Sequence, residues 1–506
     1  MKNTLTGLLT LVLIIFTASI SMSSAAEKKY DPEKVVLIES KGEPVISFKI
    51  WFKTGSQDDP KGKEGLAYLT AQMLSEGGTT NNTYEQILNK LFPLAASYYV
   101  SATAEMTIFG GRIHKDNLDT YYKLFIDQLL NPAFKEDAFA RVKENTLNYL
   151  KTTLKYSSDE ELGKAVLYNK IFEDTKYGHI TVGTISSVEA ITIEDVKKFF
   201  TAYYNRNNFV LGLAGGFDKD FPTKVYSDLQ KISDGKENKT AVPLTKQING
   251  LNVTIVNKNA NATAISMGFP IDVLRGSKDW YALAIANSYF GEHRNSSSHL
   301  YQVIREARGL NYGDYSYIEN FPNGGRYQKP PANVCRSKQI FEIWIRPVPN
   351  ETKHFTLRAA LRELQILVEK GLTQDQFDLT RKFLKKYVLQ FSPDMDQRLG
   401  YAIDDKFYGL KENHLKTYRE MMDNLTLADV NNAIKKHLQN KNLEIIMITN
   451  EGGTLKDAIV KNAPSPITYA TPKPQSVLEE DKEIINYRLE IPGGNVNYMT
   501  LEELFK

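Results

Sequence analysis

Cysteine is almost missing from this chain: Cys335 is the single one in 506 residues. No internal disulfide can form, and the simplest reading of Cys335 is a free thiol. A chain of this length folds without disulfides, so their absence says nothing against an oxidising compartment. Histidine is also scarce, at seven residues, which leaves little material for a metal site. The nearest pair is His293 and His299 in GEHRNSSSH. Its spacing does not match a one-turn helical chelate, and SSSH reads instead as a loop entering a helix.

Charge of one sign is lacking too. Lys and Arg total 63 against 60 for Asp and Glu, a formal net charge of +3, and Lys2 contributes one of those charges. With both signs spread along the chain, nothing reads as a footprint for nucleic acid or for a membrane surface.

Long apolar runs are confined to the N-terminus. There Lys2 precedes LLTLVLIIFTASI, and the small residues SSAA come just before Glu27. This is the pattern of a secretory signal peptide over residues 1–26, with cleavage after Ala26. The run is too short and too close to that site for a membrane span, and with no cysteine nearby a lipid anchor has no support. The expectation is an exported, soluble mature chain with no membrane span, periplasmic in a bacterium or else secreted.

What is present is a repeat. The length suggests about two to four domains, and two passages match. ITIEDVKKFFTAYYNRNNFVLGLAG and LTLADVNNAIKKHLQNKNLEIIMIT each read as a Thr-capped amphipathic helix, a short Asn-rich turn and an apolar strand. FKEDAFARVKENTLNYLKTTL matches LTQDQFDLTRKFLKKYVLQF as a long helix, and TYEQILNKLFPLAASYYVS matches HLYQVIREARGLNYGDYSY as helix, turn and strand. The order is the same in both halves, apart from a Pro-, Gly- and Asn-rich insertion at 320–338, NFPNGGRYQKPPANVCRSK.

The chain therefore reads as two similar α+β units, at 30–232 and 248–463, joined by a polar linker at 233–247. A C-terminal tail at 464–506 follows, acidic in part, with a short helix beginning near Thr500; its role is not legible.

WFKTGSQDDPKGKEGLAYLTAQMLSEGG, YGHITVGTISSVEAITIEDVKKFF and REARGLNYG, with the two-unit layout, resemble the insulinase and pitrilysin family of zinc peptidases, including mitochondrial processing peptidase. The resemblance covers nearly all of 35–449. It implies two homologous α/β sandwich domains, each a mostly antiparallel sheet packed by helices.

Active members of that family carry His-x-x-Glu-His on one helix, two imidazoles one turn apart to ligate zinc and a Glu to activate water. A second Glu on a later helix completes the site. Registering GLAYLTAQML on the family pattern puts Tyr68, Ala71 and Gln72 at those three positions, and Tyr149 near the distant Glu. A phenol, a methyl and a carboxamide cannot replace imidazole, base and imidazole. The apolar spacing Leu66, Leu69, Met73, Leu74 persists, so the fold outlives the chemistry. No metal or other cofactor is expected on this chain, and His179 in YGHI resembles a structural loop element of the family.

Arg305 and Tyr312 in VIREARGLNY match an Arg and a Tyr that, in active relatives, reach the scissile peptide from the half without zinc. A guanidinium and a phenol both donate hydrogen bonds and suit a developing oxyanion. Without the resemblance they read as surface and packing residues. Arg308, one turn from Arg305, is the competitor, or else it pairs locally with Glu306 or Asp314. SYYVSATAEMTIF corresponds to the edge strand that holds extended peptides by strand addition; its aromatics line a chamber or pack a core.

The resemblance thus implies a non-catalytic, substrate-contacting subunit of a heteromeric zinc peptidase. Zinc would sit in a homologous partner with intact His-x-x-Glu-His, and a peptide or unfolded protein would be the substrate. The alternatives are an inert peptide-binding or scaffold protein with no peptidase partner and, last, a solitary enzyme with a rebuilt metal site.

Overall fold

Strands β1 (Val35–Glu39), β2 (Val45–Phe52), β3 (Ser97–Ala102), β4 (Thr107–His114) and β5 (Phe209–Gly215) form one sheet in the order β1-β5-β2-β4-β3. A second sheet contains β6 (Leu251–Asn257), β7 (Ala262–Ile271), β8 (Asp314–Tyr317), β9 (Gln339–Pro349), β10 (Leu443–Thr449) and β11 (Val496–Thr500), in the order β11-β6-β10-β7-β9-β8. These come from a computed structural model that describes residues 30–239 and 242–505. The signal peptide and its cleavage after Ala26 lie outside the described residues.

Without β11, the second sheet repeats the first. β1 runs parallel to β5 as β6 does to β10, and β2 is antiparallel to β5 as β7 is to β10. β3 and β8 occupy matching edges. The matched helix starts also coincide: Thr192 and Thr426 each close a capping box, with Asp195 and Asp429, just ahead of β5 and β10. The sequence repeat is thus a repeat of topology, and both sheets are mostly antiparallel and packed by helices, as the resemblance implies.

β5 (FVLGLAG) is apolar on both faces, and β2 (VISFKIWF) is buried on both, its Ser47 and Lys49 alternating with Phe48 and Ile50, because both faces are covered. On one face of the first sheet Phe48, Phe109 and Phe125 form the core. On the other, Trp51, Ile108 and Val210 meet Leu399 and Ile403, which belong to the helix Met395–Phe407 of the second half. The exchange is mutual: the helix Asp159–Ile171 of the first half packs on β7 and β10, its Leu162 and Val166 clustering with Ala264, Ile446 and Ile448. Each helix follows the matched long helix of its own half, so the halves hold each other through equivalent elements.

The insertion lies between β8 and β9, and its 330–333 stretch is tied to the helix Met395–Phe407. Asn333 donates from its backbone and side chain to Asp404 at 2.9 and 3.0 Å, and Tyr401 donates to the Pro330 carbonyl at 3.1 Å. Cys335 is a buried free cysteine, packed with Trp51, Met106 and Leu399 between the halves.

The C-terminal segment is built into the second unit rather than trailing from it. The helix Gln475–Ile485 packs on the helix Lys353–Lys370. β11 then adds to β6 in parallel register, Val496 beside Val253, and the short helix Leu501–Leu504 starts from a Thr500 cap. This segment also corrects the local pairing expected for Arg308. Its Nε donates to Asp481 at 2.9 Å and its Nη2 to Glu480 at 2.8 Å, not to Glu306 or Asp314. The tertiary fold brings those two carboxylates to a guanidinium with no exposed side-chain surface.

Candidate functional site

The helix Leu66–Glu76 starts at Gly65, whose φ of +98° favours glycine. A Cβ there would lie 2.6 Å from the Val182 carbonyl oxygen. Asp59 anchors this helix start, accepting from the backbone N–H of Gly65 and of Ala67, each at 2.7 Å. His179 Nε2 lies 3.1 Å from the same carboxylate. His179 therefore ties the 177–184 loop to the helix start.

Beyond that anchor the helix presents none of the family's zinc chemistry. Tyr68 is half-buried on it, with its phenol pKa raised by burial and by the nearby Glu76 and Tyr149. Tyr149 opens a π-helical turn, Tyr149–Ser157. Both line one cavity of about 530 Å³, so two of the positions that the resemblance assigns to the zinc site come together in this fold. Ala71 is fully buried, and Gln72 is half-buried. These side chains do not fit zinc, which needs imidazole, thiolate or carboxylate donors. Among the described residues no group of three or more His, Cys, Asp or Glu is placed to hold a metal ion.

The histidine pair is engaged elsewhere. His293 Nδ1 is 2.8 Å from the Tyr317 hydroxyl and its Nε2 is 2.9 Å from the Tyr327 carbonyl oxygen. His299 sits 2.7 Å from Glu363 through Nε2 and 3.3 Å from Tyr289 through Nδ1. Each ring has both nitrogens in hydrogen bonds within the fold.

Arg305 lies in a second π-helical turn, Tyr301–Glu306, and such turns recur at functional sites. Its guanidinium is 5.4 Å from the Tyr301 ring centre and 5.8 Å from that of Tyr312, and it pairs with Glu306 at 3.0 Å. Tyr312 is 77 % exposed. The two candidate residues are thus adjacent in space, on the surface. β3 stands at the sheet edge, and its end, Ser101 and Ala102, lines the cavity. Of its aromatics, Tyr98 packs against Phe109, whereas the Tyr99 hydroxyl accepts from Lys49 at 2.8 Å.

The opposite cavity wall comes from the insertion, through Asn320, Pro322, Asn323, Arg326, Tyr327 and Arg336. Lys164 donates to the Phe321 carbonyl at 2.7 Å, and Ser337 Oγ donates to Glu105 at 2.7 Å. The sequence held no signal that 320–338 faces Tyr68, because no pattern in the insertion names its tertiary neighbour.

A model of the insulinase family, peptidase family M16, matches residues 34–185, and a model of the peptidase M16 inactive domain matches 190–384. This chain belongs to peptidase family M16. It is an inactive M16 homologue by its residues, since Tyr68, Ala71, Gln72 and Tyr149 stand where the zinc site would be. Among M16 relatives, an uncharacterised zinc protease of Rickettsia bellii is 25 % identical over 385 residues, covering 76 % of this chain and 88 % of the relative. A protein of Helicobacter pylori described as the non-peptidase homolog YmxG is 23 % identical over 449 residues, 88 % of this chain and 98 % of that one. The crystal structure of a peptidase M16 inactive domain from Pseudomonas fluorescens superposes with a TM-score of 0.73 at 22 % identity, over 82 % of this chain and 95 % of that one. The last likeness establishes the M16 fold.

Proposed function

We propose that this M16 homologue is a non-catalytic, substrate-contacting subunit of an exported heteromeric zinc metallopeptidase. In it, Arg305 and Tyr312 complete the zinc site of a homologous partner that carries His-x-x-Glu-His. One observation carries this reading: the residues lining the chain's own cavity include Tyr68 and Tyr149, whereas Arg305 and Tyr312 are not among them and Tyr312 is exposed. A guanidinium and a phenol on an outer surface can serve another chain's substrate, donating to a carbonyl oxygen as it gains charge. The partner supplies zinc and the general base, and the substrate is a peptide or an unfolded protein segment. Export to the periplasm rests on the N-terminal run before Glu27.

The test is co-expression with an exported homologue that has the motif intact, then size-exclusion chromatography and hydrolysis of a quenched peptide library by each chain and by the mixture. Co-elution, with turnover in the mixture and none from this chain alone, supports the proposal. Turnover by this chain alone overturns it. No complex and no gain in turnover also overturns it, and leaves a binding or scaffold protein without a peptidase partner.

A further inference from the structure

The cavity between the halves contains a cation whose neighbours leave it without a carboxylate. Arg336, at the end of the insertion, lays its guanidinium 4.2 Å from the ring centre of Tyr168 and 6.0 Å from that of Tyr177. The other basic groups on this wall differ. Lys164 is 3.5 Å from Glu342 and also bonded to the Phe321 carbonyl, and His179 is held by Asp59. Arg326 is exposed to solvent.

Glu161 is the acid that lines the cavity; Glu105 feels the charge of Arg336, but its oxygens are already in use. It accepts from the Ser337 backbone N–H and hydroxyl and from the Tyr177 hydroxyl. Among the described residues no ion pair reaches Arg336; Tyr168 takes a side-chain hydrogen bond from it, and its Nε is buried with no acceptor. Stacking on phenol rings uses the face of a guanidinium and leaves its N–H edge for hydrogen bonds. A buried donor without a partner is costly, and a carboxylate is the acceptor that suits a guanidinium lacking an ion pair.

We infer that Arg336 is a specificity residue that binds a carboxylate of the peptide in this cavity, either an acidic side chain or the chain's C-terminal group. The inference rests on the reading of this chain as a peptide-contacting subunit; it adds a second contact, in the chain's own cavity, to the surface pair Arg305 and Tyr312, and gives the peptide a substrate class.

The test is fluorescence anisotropy of labelled alanine-rich peptides with the purified chain. One peptide contains a single Glu and an amidated end, a second has Gln with a free C-terminal carboxylate, and a third has Gln with an amidated end. At least one carboxylate peptide should bind about tenfold more tightly than the neutral one, and which of the two does so identifies the source of the carboxylate. Arg336→Gln should abolish the preference, and Arg336→Lys should keep part of it, with the unfolding midpoint of each variant reporting that the fold is intact. Equal binding of charged and neutral peptides, or no binding by any, overturns the assignment. The subunit reading is tested separately, through turnover of the complex when Arg305 and Tyr312 are replaced.

Discussion

Lys164 and Glu342 face each other across the two halves, Nζ to carboxylate oxygen at 3.5 Å, with side chains only 4 % and 1 % exposed. Lys164 rides on the exchanged helix Asp159–Ile171, and Glu342 lies on β9. Tyr168 of the same helix adds a 3.1 Å hydrogen bond to that carboxylate. A buried pair of this kind contributes little net stability, yet removing one member leaves the other charge unmatched. Lys164→Met should therefore cost about 3–5 kcal/mol, and adding Glu342→Leu should recover much of the loss. Urea unfolding of the single and double variants checks this, and equal losses in both would refute the pairing argument.

Arg305 and Tyr312 should matter to turnover and not to assembly. In the reconstituted complex, Arg305→Ala should lower kcat by about a hundredfold, the scale of a lost oxyanion donor. Tyr312→Phe removes a hydroxyl that is exposed in the free chain, so its effect should appear only in the complex. Elution volumes should stay unchanged, and full turnover in both variants would remove the site assignment.

The C-terminal segment should be indispensable to the second unit. Asp481→Ala deprives buried Arg308 of its 2.9 Å partner and should cost about 2–3 kcal/mol, with Glu480 still in place. Truncation after Ala463 removes both carboxylates and β11, and should abolish the soluble folded chain. A truncated protein with an unchanged unfolding midpoint would refute this.

Two adjacent residues set opposite pH limits. Burial raises the Glu292 carboxyl from 4.5 to about 7 and lowers the His293 imidazole from 6.5 to about 4. Folded Glu292 holds its proton more tightly than the unfolded chain does, so its contribution is complete below pH 4.5 and lost as pH rises to about 7. Glu292→Gln should thus add on the order of 2–3 kcal/mol at about pH 8 and little at about pH 4. For His293 the contribution is complete above pH 6.5 and lost as pH falls toward about 4, so His293→Gln should flatten the acid limb. Denaturant unfolding across pH checks both signs.

Much of the fold was legible because it is written in local patterns. The Thr192 and Thr426 caps, the apolar runs of β5 and β10 and the matched order of helices all act over a few residues, and each appears in the structure. The changed zinc helix was equally plain, since Leu66, Leu69, Met73 and Leu74 keep the buried stripe while Tyr68, Ala71 and Gln72 alter what lies between. Arg308 was misread for the converse reason: its partners Glu480 and Asp481 lie 172 and 173 residues away, and sequence proximity favoured Glu306 and Asp314.

The sequence by itself determined the duplication, the family and the loss of zinc ligands, because side-chain chemistry and helical or strand period are properties of short segments. Only the tertiary structure decided that the halves exchange helices, that the C-terminal segment adds a strand to the second sheet, and that the insertion brings Arg336 into the chamber opposite Tyr68. Those outcomes depend on which apolar faces cover one another and on which buried charges find partners, and both are settled by packing across the whole chain.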